Sequence, residues 1–377
     1  AWYFVQASPS DPRARKLPFP DDLMGELIRY VTAHEVGHTL GLQHNMKASS
    51  AFTVEQLRDP AFTRKWGTEA SIMDYGRFNY VAQPGDGAHL IPKIGPYDRF
   101  AIEWGYRPIP GAATPDDEKP LLDEIAARQV DDPTLRFGDA SSDDPARRME
   151  DLGSDPVAAT RLGLLNLNRV LDYLVEATCK PGEDYSLLRE MYERVIGQRN
   201  LELGHVAAVV GGVHQTNYHY GRGGLVYTPV PAEKQAEAVQ FLLTHCFETP
   251  KELLRADILG RIESSGAADR ILSGQQRILE SLLSDDRAKR MTEQAALHGG
   301  RSYSVERLVA DLRAGIWREL AAPRVAIDPF RRNLQRTFLR VLGSRIAGES
   351  ASQTDLRAAA RGALLELRGA IAAALPK

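Results

Sequence analysis

Apolar side chains recur at helical spacing along much of the chain. Between Asp21 and Leu42, the positions Leu23, Leu27, Ile28 and Val31 form one apolar face, and Asp21 and Asp22 put carboxylates where a helix N-terminus favours them. The spacing predicts a helix of about five turns there. The rest of the first hundred residues is irregular and rich in Gly, Pro and aromatic residues, with AWYFVQ at the start suited to a strand or a connector. Beyond roughly Thr160 helical spacing dominates. Leu162, Leu165, Val170 and Leu174 make one stripe, and Leu308, Leu312, Ile316 and Leu320 another. Capping chemistry marks two helix starts, Thr249-Pro250-Lys251-Glu252 and Asp328-Pro329. Between the halves, PIPGAATPDDEKP and an acidic stretch rich in turn formers predict connecting structure over a surface. No fixed-period repeat points to a solenoid. The pattern predicts a mainly α chain of three parts: 1–107, a connector over 108–160, and an α-helical domain over 161–377.

Composition narrows the class. A length of 377 residues suits two domains, and 43% hydrophobic with 26% charged residues is ordinary for a globular protein. Lys and Arg total 47 against 50 Asp and Glu, so the net charge of -3 argues against nucleic acid or an anionic membrane as partner. No apolar run reaches the ~20 residues that span a bilayer, so no membrane span is expected. The first residues lack the order of a signal peptide and an initiator Met, which suits a processed or truncated end. Cys179 and Cys246 fit no metal-binding spacing; one disulfide and two free thiols are both open.

The candidate chemistry lies on the first predicted helix, in HEVGHTLGLQH. His34 and His38 are one helical turn apart, so both imidazoles leave the same face and can bind one ion at about 2.0–2.1 Å. Glu35 stands one step round, beside the ion's open position. A continuing helix would carry the next side chains away from the metal. Gly41, with no Cβ, can take the left-handed conformation that ends the helix and returns His44 to the site. The string predicts one catalytic zinc ion held by His34, His38 and His44, with Glu35 as general base toward a water.

HEVGHTLGLQH followed by SIMDY (residues 71–75) resembles the metzincin metallopeptidases, which pair a zinc helix with a Met-turn. The resemblance implies that Met73 forms an apolar floor beneath the ligands and that Tyr75 helps stabilise the reaction intermediate. PDDLMGELIRYVTAHEVGHTLGLQHNMKASSAF, SIMDYGRFNYVAQPGD and IGPYDRFAIEWGY resemble the bacterial zinc-dependent metalloproteases with a met-zincin domain. That likeness implies the C-terminal part of a metzincin catalytic domain, with zinc helix, Met-turn and little sheet, followed by the helical domain. It also implies zinc-dependent hydrolysis of a peptide or protein substrate, and an extracytoplasmic location, periplasmic or secreted. Metzincins place a sheet before the zinc helix, and the residues ahead of Asp21 are too few for it; an upstream domain or fragment completing the cleft is therefore an expected partner.

Other candidates carry blander readings. Glu55 and Glu69 are alternatives to His44 as third ligand, but lack the turn that Gly41 provides. His214 and His219 lie in a Gly-rich, aromatic loop. Asp139, Asp143, Asp144, Asp151 and Asp155 offer oxygens to calcium, yet their spacing matches no EF-hand, and turn and cap roles are favoured. Asp98 suits the start of a helix, and Trp104 and Tyr106 suit a core. The alternative function is a non-catalytic, zinc-containing binding protein, or inactive fragment, whose helical domain mediates interactions.

Overall fold

The helix that the Asp21–Leu42 pattern predicts forms over Asp21–Thr39, but it buries a different face. Leu23 is fully buried, and Leu27 and Tyr30 pack with it against Tyr3, Phe78 and Leu90. Ile28 and Val31, expected to face inward, are exposed. The buried stripe runs Leu23, Leu27, Tyr30, His34, Gly37, the one helical face that continues into the histidine motif.

The structure is a computed structural model that describes residues 1–299, 302–348 and 351–375; it is 62% helix and 2% strand. In chain order the helices are α1 (Trp2–Ala7), α2 (Asp21–Thr39), α3 (Val54–Arg58), α4 (Pro60–Trp66), α5 (Pro96–Tyr106), α6 (Pro115–Ala127), α7 (Pro156–Thr178) and α8 (Ser186–Val209). The short strands β1 (Val213–Gln215) and β2 (Tyr227–Pro229) pair, and then come α9 (Ala232–His245), α10 (Ala256–Ile262), α11 (Ala267–Leu282), α12 (Asp285–His298), α13 (Val305–Ile316), α14 (Pro329–Ile346) and α15 (Leu356–Ala374). The chain forms two compact units, residues 1–205 with 213–228, and residues 206–212 with 229–377.

In the first unit AWYFVQ is a helix and not a strand. Tyr3, Phe4, Val5, Gln6 and Ala7 are all buried. The Phe4 ring meets Tyr173 of α7 edge-on, and the Gln6 amide donates to Gln198 of α8. A lone segment enclosed by helices has no strand to pair with, so its backbone groups must be satisfied locally. Side-chain caps start the neighbouring helices: Thr53 and Gln56 form a capping box on α3, Asp59 caps α4, and Asp155 caps α7, the last two with proline in the first turn. A second cluster, Phe52, Leu57, Tyr80, Val81 and Leu152, supports the irregular segment between α4 and α5. Asn79 pins that segment by donating to the carbonyls of Leu57 and His89. Trp104 and Tyr106 on α5 are about half exposed rather than core, because the buried face of this short helix is spent on Asp98.

The second unit is a helical bundle whose core includes Leu308, Leu312, Ile316, Leu334, Phe338 and Leu342. Leu308, Leu312 and Ile316 of the predicted stripe are buried, whereas Leu320 falls beyond the end of α13 in a 3₁₀ turn and is only partly buried. Asp328 caps α14, accepting from the Phe330 and Arg331 amides. The start at Thr249 yields only a 3₁₀ turn, Lys251–Leu253, since Thr249 gives its hydroxyl to the Asp328 carboxylate instead of capping its own helix. Arg331, nearly inaccessible, spreads its guanidinium over the carbonyls of Phe247, Gly315 and Ile316 and pairs with Glu319 at 2.6 Å. Cys179 and Cys246 are not joined in a disulfide.

Candidate metal centre

The end of α2 is a complete Schellman motif. Gly41 takes φ +84°, the Leu42 amide donates to the Gly37 carbonyl at 3.1 Å, and the Gly41 amide donates to the His38 carbonyl at 3.0 Å. The chain thus doubles back and brings His44 to the two histidines of the helix. His44 Nε2 lies 3.3 Å from His34 Nε2 and 3.0 Å from His38 Nε2.

The protons on these rings are held elsewhere. His34 Nδ1 is 2.7 Å from the Ile72 carbonyl, and His38 Nδ1 is 2.9 Å from the Leu42 carbonyl. A carbonyl only accepts, so both Nδ1 atoms carry hydrogen, and in the neutral ring each Nε2 then keeps its lone pair. Lone pairs converging on one point repel unless a cation lies among them. Ligands at ~2.0–2.1 Å in tetrahedral array stand about 3.3 Å apart, close to the separations found, so these residues fit a zinc ion. Burial, followed by the neighbouring His38 and His34, lowers the pKa of His44, which also favours a neutral ligand. Among the described residues, this is the one group of three or more His, Cys, Asp or Glu whose donor atoms, all within 4.8 Å, could hold a metal.

Beneath the triad runs Ser71-Ile72-Met73-Asp74-Tyr75. Met73 is fully buried and lies directly against the backbone of Gly37, and the Asn45 amide donates to its carbonyl. The Tyr75 ring is 4.4 Å from His44 and 5.6 Å from His34, centroid to centroid. Glu35 projects from the exposed side of α2, near enough to His44 for its charge to act on that ring.

Several residues around this turn carry no marker in the motif. Asp98, at the third position of α5, accepts from Ser71 Oγ, the Ile72 amide and the Gly95 amide, which is more than a helix-start role. Asp74 accepts from the amides of Ser49 and Tyr75. Glu69, Asp74 and Asp151 are fully buried together; burial raises all three pKa values, the charge of Asp74 adds to it at the other two, and Asp74 is pushed up to about 7. Gly37 had one available signal, since glycine inside a helix costs about 1 kcal/mol relative to alanine and calls for a reason.

The remaining candidates lie outside the triad. Glu55 is exposed on α3, and Glu69 is interior. Asp144 is buried between Lys47 at 3.1 Å and His214 Nδ1 at 3.2 Å. These partners and two backbone amides hold its pKa at about 2 despite burial. Asp151 accepts from Ser49 Oγ, and Asp155 is the α7 cap. His219 is exposed and bridges to Arg222 within the loop between β1 and β2.

A helix bearing two histidines, a glycine turn returning a third, and a buried methionine turn below define a metal site of the metzincin type. The family model described as Met-zincin matches residues 16–324, most of the chain, and the protein belongs to that family. Comparison with curated proteins and with solved structures finds no match.

Proposed function

We propose that this protein is a zinc-dependent peptidase that hydrolyses peptide bonds in a protein or peptide substrate. The observation that carries the reading is the convergence of three Nε2 atoms, two of them on rings whose Nδ1 faces a backbone carbonyl, beside a solvent-facing glutamate. Zinc, when bound, supplies Lewis acidity toward water and the scissile carbonyl. The protein's own groups do the rest. Glu35 accepts a proton from the attacking water and returns it to the departing amine, so the peptide and one water become an acid and an amine. The Tyr75 hydroxyl, on a ring against His44 and His34, donates to the carbonyl oxygen as its charge builds. Met73 and the backbone of Gly37 keep water from beneath the ligands. The likeness to exported bacterial proteases supports an extracytoplasmic location.

The test is metal analysis followed by digestion of a denatured protein with and without a chelator. We expect about one zinc per chain and cleavage that the chelator abolishes and added zinc restores. Stoichiometric zinc with no chelator-sensitive cleavage would leave a metal-holding binding protein and overturn the peptidase reading.

A further inference from the structure

We infer that Asp98 is a positioning residue for the metal centre, acting on His34 through the Ser71 hydroxyl and the peptide bond between Ile72 and Met73. The inference rests on the metal reading above, but not on peptidase activity. Each link is a hydrogen bond. Asp98 Oδ1 accepts from Ser71 Oγ at 2.6 Å. Ser71 Oγ in turn accepts from the Met73 amide at 3.0 Å. That amide belongs to the same peptide unit as the Ile72 carbonyl, which takes the His34 Nδ1–H at 2.7 Å. The path therefore runs carboxylate, hydroxyl, peptide, imidazole.

Hydrogen bonds in series polarise one another, more so in a dry interior. Asp98, Ser71 and Ile72 are all buried, Asp98 to 3% exposure. Negative charge on Asp98 draws the Ser71 proton, the Ser71 oxygen then draws the Met73 N–H, and the Ile72 oxygen becomes a stronger acceptor. A stronger acceptor at Nδ1 makes Nε2 of His34 more basic and fixes the plane of its ring. The commoner arrangement joins carboxylate and histidine directly; here a hydroxyl and a peptide are inserted between them. A plain helix-start role for Asp98 would need only the Gly95 amide, whereas two of its three donors, Ser71 Oγ and the Ile72 amide, belong to the turn under the metal. His38 is held differently, with its Nδ1 against the Leu42 carbonyl.

Two substitutions break the path at different points. Asp98→Asn removes the charge, and Ser71→Ala cuts the hydroxyl while leaving Asp98 its bonds to Ile72 and Gly95. Ser49→Ala is the control, because Ser49 is equally buried but gives its hydroxyl to Asp151. Zinc affinity is read by competition with a chromogenic chelator, and the ligand field by the visible spectrum after cobalt(II) replacement, with circular dichroism establishing folding. We expect Asp98→Asn and Ser71→Ala to weaken zinc about 10–100-fold and to shift the cobalt bands, with Ser49→Ala losing stability but keeping both readouts. Folded Ser71→Ala with wild-type affinity and spectrum would overturn the inference even if Asp98→Asn failed to fold. Ser49→Ala matching the other two variants would overturn it as well. Absence of metal binding in the wild-type protein would instead sink the metal reading itself.

Discussion

Gly37 and Met73 touch so closely that a β-carbon at position 37 would stand 2.3 Å from the Met73 sulfur. The zinc helix can rest on the methionine turn because one of its residues has no side chain. In an exposed helix interior, glycine to alanine gains about 1 kcal/mol. Here the sign reverses, and Gly37→Ala is expected to cost roughly 1–3 kcal/mol through overpacking. Denaturant unfolding of Gly37→Ala, Met73→Ala and the double variant checks it. The double variant should be more stable than the sum of the single losses, and simple additivity would show that the contact carries no strain.

Gly41 faces a different constraint. A β-carbon there would meet nothing within 4 Å, so Gly41→Ala has a backbone cost alone, from φ +84°. That cost is about 1–2 kcal/mol. Since relief of the strain would move His44, zinc affinity should fall along with stability, and Gly41→Asn should fall less in both. Isothermal titration with zinc and unfolding curves on the two variants decide the matter.

Glu35→Gln keeps the shape of α2 and removes only the proposed proton acceptor. Zinc content should stay at the wild-type level while peptide cleavage drops about 10²–10⁴-fold. His38→Ala should instead lower both metal content and cleavage. Turnover unchanged in Glu35→Gln would remove the glutamate from the mechanism.

The interior carboxyl Glu202 sets a pH dependence. Burial pushes its pKa up to about 8 from a usual value of 4.5, against the opposing bond from Gln198. The folded state therefore holds this proton to higher pH than the unfolded chain does. Stability contributed here is intact below about pH 4.5 and declines as pH rises toward 8. Thermal melts from pH 5 to 8.5 should fall more steeply for the wild type than for Glu202→Gln. Parallel curves would mean that Glu202 is not held protonated.

The clustering of the three histidines is legible in the sequence because their relationship is local. Helical pitch relates His34 to His38, and one glycine explains His44, so no distant residue enters the argument. The support of the site was not. Asp98 reaches Ser71 and Ile72, and His34 reaches Ile72, across intervals with no period, and such contacts exist only once the chain has folded. Apolarity alone points to the wrong face of α2 for a related reason: Ile28 and Val31 are more apolar than Tyr30, yet the face that turns inward is the one that carries Tyr30 and His34. The helix that takes in most of AWYFVQ, Trp2–Ala7, is six residues long, too short for its periodicity to distinguish helix from strand. The stripe on α13, longer and capped by Ser304, is legible from Leu308 to Ile316, whereas Leu320 lies beyond the helix end.

The carbonyl of Leu42 receives the His38 proton, and Leu42 occupies that spot only because the chain has just reversed at Gly41. The reversal thus serves two imidazoles at once, delivering one ring and orienting the other. Inserting or deleting a single residue between His38 and His44 would injure both together, so natural variation in loop length is expected to stop at this segment's edges.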